Sequence, residues 1–211
     1  MRIDVAEESI TELAEYAGIP AAFEVRQVLD VAVQENGRIR LSERRVDIAS
    51  YVKDYDAIQG EGPLQWAKRF DVSNWRLFVA RVQGGRVGGA VVAYDTKGLD
   101  MLEGRTDLAV LWDIRVAPAI RGQGVGSALF QAVEAWATAK GCSRLKVETQ
   151  NINASACRFY ARQRCVVEAA HRGAYPNLPD EIQLLWCKDL GIPNDIHRSG
   201  YDARHSSTRR A

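Results

Sequence analysis

The chemistry in this chain is most concentrated in Arg121-Gly122-Gln123-Gly124-Val125-Gly126-Ser127. Three glycines fall in five residues, with an arginine before them and an apolar run after them. Such a loop opens a helix. Its backbone N–H groups lack intrahelical partners, and the helix dipole favours negative charge there. The pattern predicts a phosphate cradle, and three kinds compete. A triphosphate loop needs Gly-Lys-Ser/Thr at its end; Gly126 is followed by Ser127-Ala128, without lysine, which excludes it. A dinucleotide fingerprint needs a third glycine where Ser127 stands, and an acid about 20 residues on. Glu148 could be that acid, but such loops usually open their domain, and this one follows more than a hundred residues. The third pattern, Arg/Gln-x-x-Gly-x-Gly/Ala, fits residues 121–126.

The cradle must be held by a strand before it and a helix behind it. "LAVLWDIRVAP" is the most apolar strand segment and ends at Pro118. After the loop, Val125, Leu129, Val133 and Trp136 recur at helical spacing, and Gly141 is the natural stop. "SRLKVETQ" then reads as a strand, and Asn153 as the N-cap of a helix over "ASACRFYARQ". "CVVEAAH" and "EIQLLWCKDL" read as two further strands around a Tyr175–Pro179 turn. Upstream, "AEESITELAEYAG" predicts a helix, and "AFEVRQVLDVAVQ" a strand that turns at Asn36-Gly37 into "RIRLSERRV". "GPLQWAKRF" predicts a short helix with Pro63 at its start. "WRLFVARV" and "RVGGAVVAY" predict a hairpin, and "TKGLDMLEGRTD" a polar loop. The order implies an α/β (α+β) mixed sheet, largely antiparallel and twisted, with one parallel strand–helix–strand crossover.

Composition bounds the rest. The chain has 211 residues, 46% hydrophobic and 26% charged, with a formal net charge of +1. That balance suits one globular domain, expected over residues 1–189, and points to neither nucleic acid nor membrane. Residues 190–211 carry Arg198, Arg204, Arg209 and Arg210 without apolar periodicity, and read as a polar, basic, poorly ordered tail. A nucleic-acid contact through that tail is the minor alternative. The start lacks a secretory pattern, and no apolar run reaches the ~20 residues of a membrane span, so a cytoplasmic protein is expected. Cys142, Cys157, Cys165 and Cys187 form no metal-binding spacing, and no metal is expected. They read as small buried hydrophobes of a reducing compartment.

Two regions together carry a family resemblance. "WDIRVAPAIRGQGVGSAL" and "ETQNINASACRFYARQ", with Asn153-x-x-Ala156-x-x-Phe159-Tyr160, resemble the GNAT superfamily of N-acetyltransferases over residues 108–170. The same stretches, with the upstream "FEV", look like the streptothricin acetyltransferase branch. One departure is visible: Arg164-Cys165 stands where the family commonly has Gly-Phe. Arginine tolerates a left-handed turn less well than glycine, so a different local loop is expected.

The resemblance implies a GNAT fold splayed where acetyl-CoA enters, and acetyl transfer from acetyl-CoA to a primary amine. It implies that the backbone of Gly122, Gln123, Gly124, Val125, Gly126 and Ser127 cradles the pyrophosphate. Arg121 either adds charge or faces solvent. The strand residues Ile114, Arg115 and Val116 would pair their main chain with the pantetheine arm. Asn153 and Ala156 would touch that arm as well. Tyr160 would be the general acid for the departing thiolate, or else a core aromatic. Asp113 leads as the base for the acceptor amine, against a surface pair with Arg115. In simple alternation Asp113 shares a face with Leu111 and Arg115, opposite Trp112, Ile114 and Val116. Glu148 is the second carboxylate, and either acid could instead bind a cationic substrate. Trp112 and Tyr175 are candidates for the acceptor pocket, or core. The expected acceptor is a small amine-bearing antibiotic of the streptothricin type, making this a resistance enzyme. Alternatives are a protein N-terminus or lysine, or a non-catalytic CoA sensor. Many members are dimers, so a homodimer is among the expectations.

Overall fold

The computed structural model describes residues 1–46 and 49–191. The polar tail expected from residue 190 therefore lies almost wholly outside the described residues. A seven-stranded sheet runs in the order β1-β6-β7-β8-β9-β11-β10. Its strands are β1 (Asp4–Glu8), β6 (Arg76–Val82), β7 (Gly85–Tyr94), β8 (Leu108–Val116), β9 (Arg144–Gln150), β10 (Val166–Arg172) and β11 (Ile182–Asp189). All neighbours are antiparallel except β8 and β9, which are joined by the crossover helix α3 (Val125–Ala139). The remaining helices are α1 (Leu13–Ala17), α2 (Pro63–Arg69) and α4 (Ala154–Arg162). This is the mixed, mainly antiparallel sheet with one parallel step that the pattern implies.

Two apolar clusters cover the two faces of the sheet. Val125, Leu129, Phe130 and Val133 of α3 and Cys157 and Tyr160 of α4 pack on Ala90, Val92, Leu111 and Val147. On the other face, Leu13 and Tyr16 of α1 and Trp66 of α2 meet Trp75, Leu77, Val91 and Val110. The β6–β7 hairpin turns through Gln83 and Gly84, both with positive φ (51° and 83°), the twist a two-residue hairpin needs.

Three upstream expectations are corrected. Residues 4–8 form an edge strand paired with β6, and α1 begins only at Leu13. The alanine and glutamates of "DVAEE" favour helix locally, but pairing to β6 overrides that preference. "AFEVRQVLDVAVQ" is not one strand. It divides at Arg26 into β2 (Phe23–Val25), paired with β5 (Tyr51–Lys53), and β3 (Gln27–Val33), paired with β4 (Ile39–Arg45) across the Asn36-Gly37 turn. The "TKGLDMLEGRTD" loop is not wholly polar: Leu99 and Leu102 are buried around a single 3-10 turn.

The Arg164 turn keeps its left-handed backbone without glycine. Arg164 has φ +64°, its N–H donates to Ala161 O, and the Cys165 N–H donates to Tyr160 O. Those two bonds close α4 and offset the steric penalty of a side chain in this region.

Candidate active site

β8 and β9 pair only from Leu108↔Arg144 to Leu111↔Val147. Beyond that pair the strands separate, and the β9-facing edge of residues 112–116 has no strand partner. The glycine loop lies at the end of the same strand, past the 3-10 turn Pro118–Ile120.

Gly122 and Gly124 have φ +80° and +90°. The first bond of α3 runs from the Ala128 N–H to Gly124 O, and none of the amides from Gly122 through Ser127 makes a backbone hydrogen bond. A Cβ at Gly122 would meet no atom within 4 Å. Unpaired, outward amides with open space before them fit a pyrophosphate. Within the loop only the amides serve, because Val125 is a core side chain, 1% exposed, and Ser127 Oγ is bonded to Gln163 Nε2 at 3.0 Å. The Gln123 side chain is exposed. Arg121 is committed elsewhere: Nε donates to Val116 O (2.9 Å), Nη1 to Ala22 O (3.1 Å) and Nη2 to Pro20 O (3.2 Å). Its guanidinium fastens the α1–β2 loop to the cradle. The residue as a whole is exposed.

The simple alternation along β8 fails at Trp112. Val91 faces Asp113 while Val92 faces Leu111, so Trp112 is the extra residue of a β-bulge. A bulge puts two successive side chains on one side. Trp112, Asp113 and Arg115 therefore share the α1/α2 face, while Leu111, Ile114 and Val116 face α3. Trp112 packs in an aromatic cluster with Phe70 (5.4 Å), Trp75 (5.3 Å) and Trp66 (6.3 Å between centroids). It is half-buried, on the same face as Asp113.

Asp113 and Arg115 do pair, Nε to Oδ2 at 2.5 Å, but inside the protein: the Arg115 side chain is 3% exposed and that of Asp113 21%. Arg115 also grips Asp56, Nη1 to Oδ2 at 2.5 Å and Nη2 to Oδ1 at 2.9 Å, and donates to Ile19 O at 3.3 Å. Its side chain thus points to the α1/α2 face, and only its main chain lies along the unpaired β9-facing edge. Burial opposes the Arg115 charge, yet Asp113 and Asp56 hold its pKa above the usual value. Burial raises the Asp113 pKa, outweighing the Arg115 charge and hydrogen bond that lower it. Besides Arg115, the Tyr16 hydroxyl bears on the Asp113 carboxyl as a side-chain donor that lowers its pKa.

Tyr160 comes from the opposite face. It is 5% exposed and packs on Phe159, Phe130 and Trp186. Its hydroxyl makes no hydrogen bond among the described residues. Burial, then the Asp113 charge, push its pKa well above the ordinary tyrosine value, so it stays protonated. Asn153 caps α4, its Oδ1 accepting from the Ala156 N–H at 3.1 Å. Ala156 packs against the α3-side core.

Glu148 lies one residue beyond the last β8–β9 pair, on the same face as Asp113. Its Oε1 accepts from the Tyr175 hydroxyl (2.6 Å) and its Oε2 from Gln183 Nε2 (2.8 Å). Gln150 Nε2 in turn donates to Tyr175 Oη at 3.1 Å, and Gln183 Oε1 meets His171 Nδ1 at 2.8 Å. These partners are neutral donors, and no cation among the described residues pairs with Glu148. Nearby, Glu181 takes Lys53 Nζ on Oε1 and the Tyr55 hydroxyl on Oε2, each at 2.5 Å. Asp56, Glu181, Lys53 and Tyr55 were not singled out in the sequence, and Tyr16 was read only as part of the apolar face of the first helix. Lys53, Tyr55 and Asp56 share the run "YVKDYD", which mixes aromatic and charged residues.

The four cysteines are free and buried. Burial lifts the thiols of Cys142, Cys157 and Cys187 to about 11 and that of Cys165 to about 12, which disfavours a thiolate nucleophile. Among the described residues no group of three or more metal-ligating side chains assembles, and no helix is long and apolar enough to cross a membrane.

A parallel strand pair that parts beside a glycine cradle, with a protonated tyrosine behind the gap, defines an acyl-CoA-dependent N-acyltransferase. The chain belongs to the acetyltransferase (GNAT) family, whose model matches residues 45–164. It is 25% identical over 198 residues to a streptothricin acetyltransferase of Escherichia coli, covering 92% of this chain and 99% of that one. It is 40% identical over 80 residues to streptothricin acetyltransferase A of Bacillus subtilis (strain 168). That match spans 37% of this chain and 46% of the relative, under half of its length. The fold is shared with a candidate streptothricin acetyltransferase of Bacillus anthracis, solved in complex with acetyl coenzyme A. The TM-score is 0.70 at 23% identity, covering 89% of this chain and 99% of that one. The protein is therefore a GNAT N-acetyltransferase.

Proposed function

We propose that this enzyme transfers acetyl from acetyl-CoA to a primary amine of a streptothricin-type antibiotic, by direct attack. The observation that carries the acceptor half is Glu148: a carboxylate held by neutral donors, without a countercharge, beside the strand gap and on the Asp113 face. Such a group suits an ammonium on a cationic small molecule. The relatives supply the name of the acceptor; the site supplies its charge.

Acetyl-CoA, when bound, supplies an activated thioester. The amides of residues 122–127 hold its pyrophosphate, and the open edge of Ile114–Val116 pairs with its arm. A backbone N–H on that edge polarises the acetyl carbonyl. The Asp113 carboxylate takes a proton from the acceptor ammonium, directly or through water. The amine nitrogen then bonds to the carbonyl carbon, the carbon–sulfur bond breaks, Tyr160 donates its hydroxyl proton to the departing sulfur, and the second proton shed by the acylated nitrogen restores the Tyr160 hydroxyl, directly or through water.

The test is thiol release from acetyl-CoA with streptothricin, set against aminoglycosides, polyamines, amino acids and peptides. Release with streptothricin supports the reading. Release with peptides alone would move the assignment to protein N-termini or lysines. CoA binding in calorimetry without release from any amine would favour a sensor.

A further inference from the structure

Tyr16 has a hydroxyl that the fold does not use. The residue sits in α1, is fully buried, and its Oη has no hydrogen-bond partner. An unpaired buried hydroxyl is destabilising, and phenylalanine would fill the same space without that penalty. The ring is nonetheless closely seated. The Arg115 guanidinium carbon lies 5.2 Å from its centroid, and Trp66 packs at 6.2 Å. A Cβ at Gly89 would come within 2.7 Å of the ring, so β7 carries glycine where Tyr16 passes. This seat sets the hydroxyl beside Asp113, whose charge and carboxylate both raise the Tyr16 pKa, while Arg115 Nε takes Asp113 Oδ2.

We propose that Tyr16 is a positioning residue for Asp113: its spare hydroxyl donates to the ionised carboxylate and keeps that carboxylate facing the gap between β8 and β9. The role rests on Asp113 serving as the base. Arg115 already takes Oδ2 from one side. Oδ1 has two lone pairs, one for Tyr16 and one for the acceptor ammonium. The groups facing Asp113 are Arg115 on its own strand, Asp56 from the loop before α2, Tyr16 from α1, and Tyr160 from α4 across the gap. Arg115 favours the carboxylate form and Asp56 opposes it. Tyr16 is the neutral donor in this set that favours the ionised form without adding charge.

The experiment needs no acceptor. Protein labelled with [13C]carboxyl-aspartate is titrated by NMR, the Asp113 resonance being the one lost in Asp113→Asn. In Tyr16→Phe the Asp113 midpoint should move up by roughly half a pH unit or more, because a donor to the ionised form is gone. The melting temperature should fall only modestly and the variant should stay folded, because a buried carboxylate loses one of its donors. In the unaltered protein the Tyr16 13Cζ resonance should shift with the Asp113 midpoint. An unchanged midpoint in a folded Tyr16→Phe, or a Tyr16 resonance indifferent to Asp113, overturns the proposal. The base reading fails separately if Asp113→Asn keeps full thiol release with streptothricin at every pH.

Discussion

Asp56 holds the Arg115 guanidinium through both carboxylate oxygens, at 2.5 and 2.9 Å, while the same guanidinium reaches Asp113 through Nε. One buried cation thus serves two aspartates, one from the loop before α2 and one from the strand beside the gap. The cluster ties the loop before α2 to β8.

Arg115→Ala should therefore destabilise strongly. It leaves two partly buried carboxylates without their cation, a change that costs about 3–5 kcal/mol in comparable buried pairs. Arg115→Lys should recover only part of this, since an ammonium cannot make the forked contact to Asp56. Urea unfolding reads the difference. A midpoint unchanged in Arg115→Ala would show that the cluster contributes nothing to the fold.

Asp113 predicts a paired effect of pH on rate and stability. Its folded pKa is raised, chiefly by burial. Below the ordinary carboxylate value both folded and unfolded forms are protonated. As pH rises past it, the unfolded chain ionises first and the folded state loses stability, until the folded carboxyl ionises too. Activity should move the opposite way, rising with pH through the raised value. Asp113→Asn should remove both trends, which thermal melts and kcat/KM measured from acid to neutral pH would reveal. Parallel profiles for the two proteins would deny Asp113 either role.

How much of this could be read from the chain depends on distance along it. The turn before α3 was legible because glycines at 122 and 124 announce positive φ, and α4 because Asn153 offers a side-chain cap. The bulge at Trp112 was not: it exists only in the pairing of β8 with β7, and without it alternation puts Asp113 on the wrong face. Asp56 and Arg115 are 59 residues apart, and Lys53 and Glu181 are 128, so no local pattern joins them. The three backbone carbonyls that Arg121 reaches were not legible either, because Pro20 and Ala22 lie about a hundred residues upstream of it.

Tyr160→Phe should slow turnover by roughly 10–10⁴ fold while CoA affinity survives, as loss of a general acid does. The ring stays packed on Phe159 and Trp186, so stability should barely change. With its pKa pushed up by burial and by Asp113, Tyr160 should impose no basic fall in rate near the ordinary tyrosine value. Single-turnover kinetics with calorimetric CoA binding separates the two effects. Equal turnover in the variant would return Tyr160 to a packing role.

Gly122→Ala sets binding against folding. The added methyl would meet no protein atom within 4 Å, so packing alone predicts no penalty. The backbone there has φ +80°, which costs an alanine about 1–2 kcal/mol. If residues 122–127 hold the pyrophosphate, the methyl also enters the space the anion occupies and tilts amides that must converge on it. CoA affinity should then fall by well over the factor of ten that ~1.4 kcal/mol represents, while the melting temperature drops only modestly. Gly141→Ala is the control: it too has positive φ (+81°) and open space, but lies at the far end of α3. Its stability should fall comparably and its CoA affinity should hold. If both variants bind CoA as the parent does, the loop is a helix cap and the cradle must be sought elsewhere.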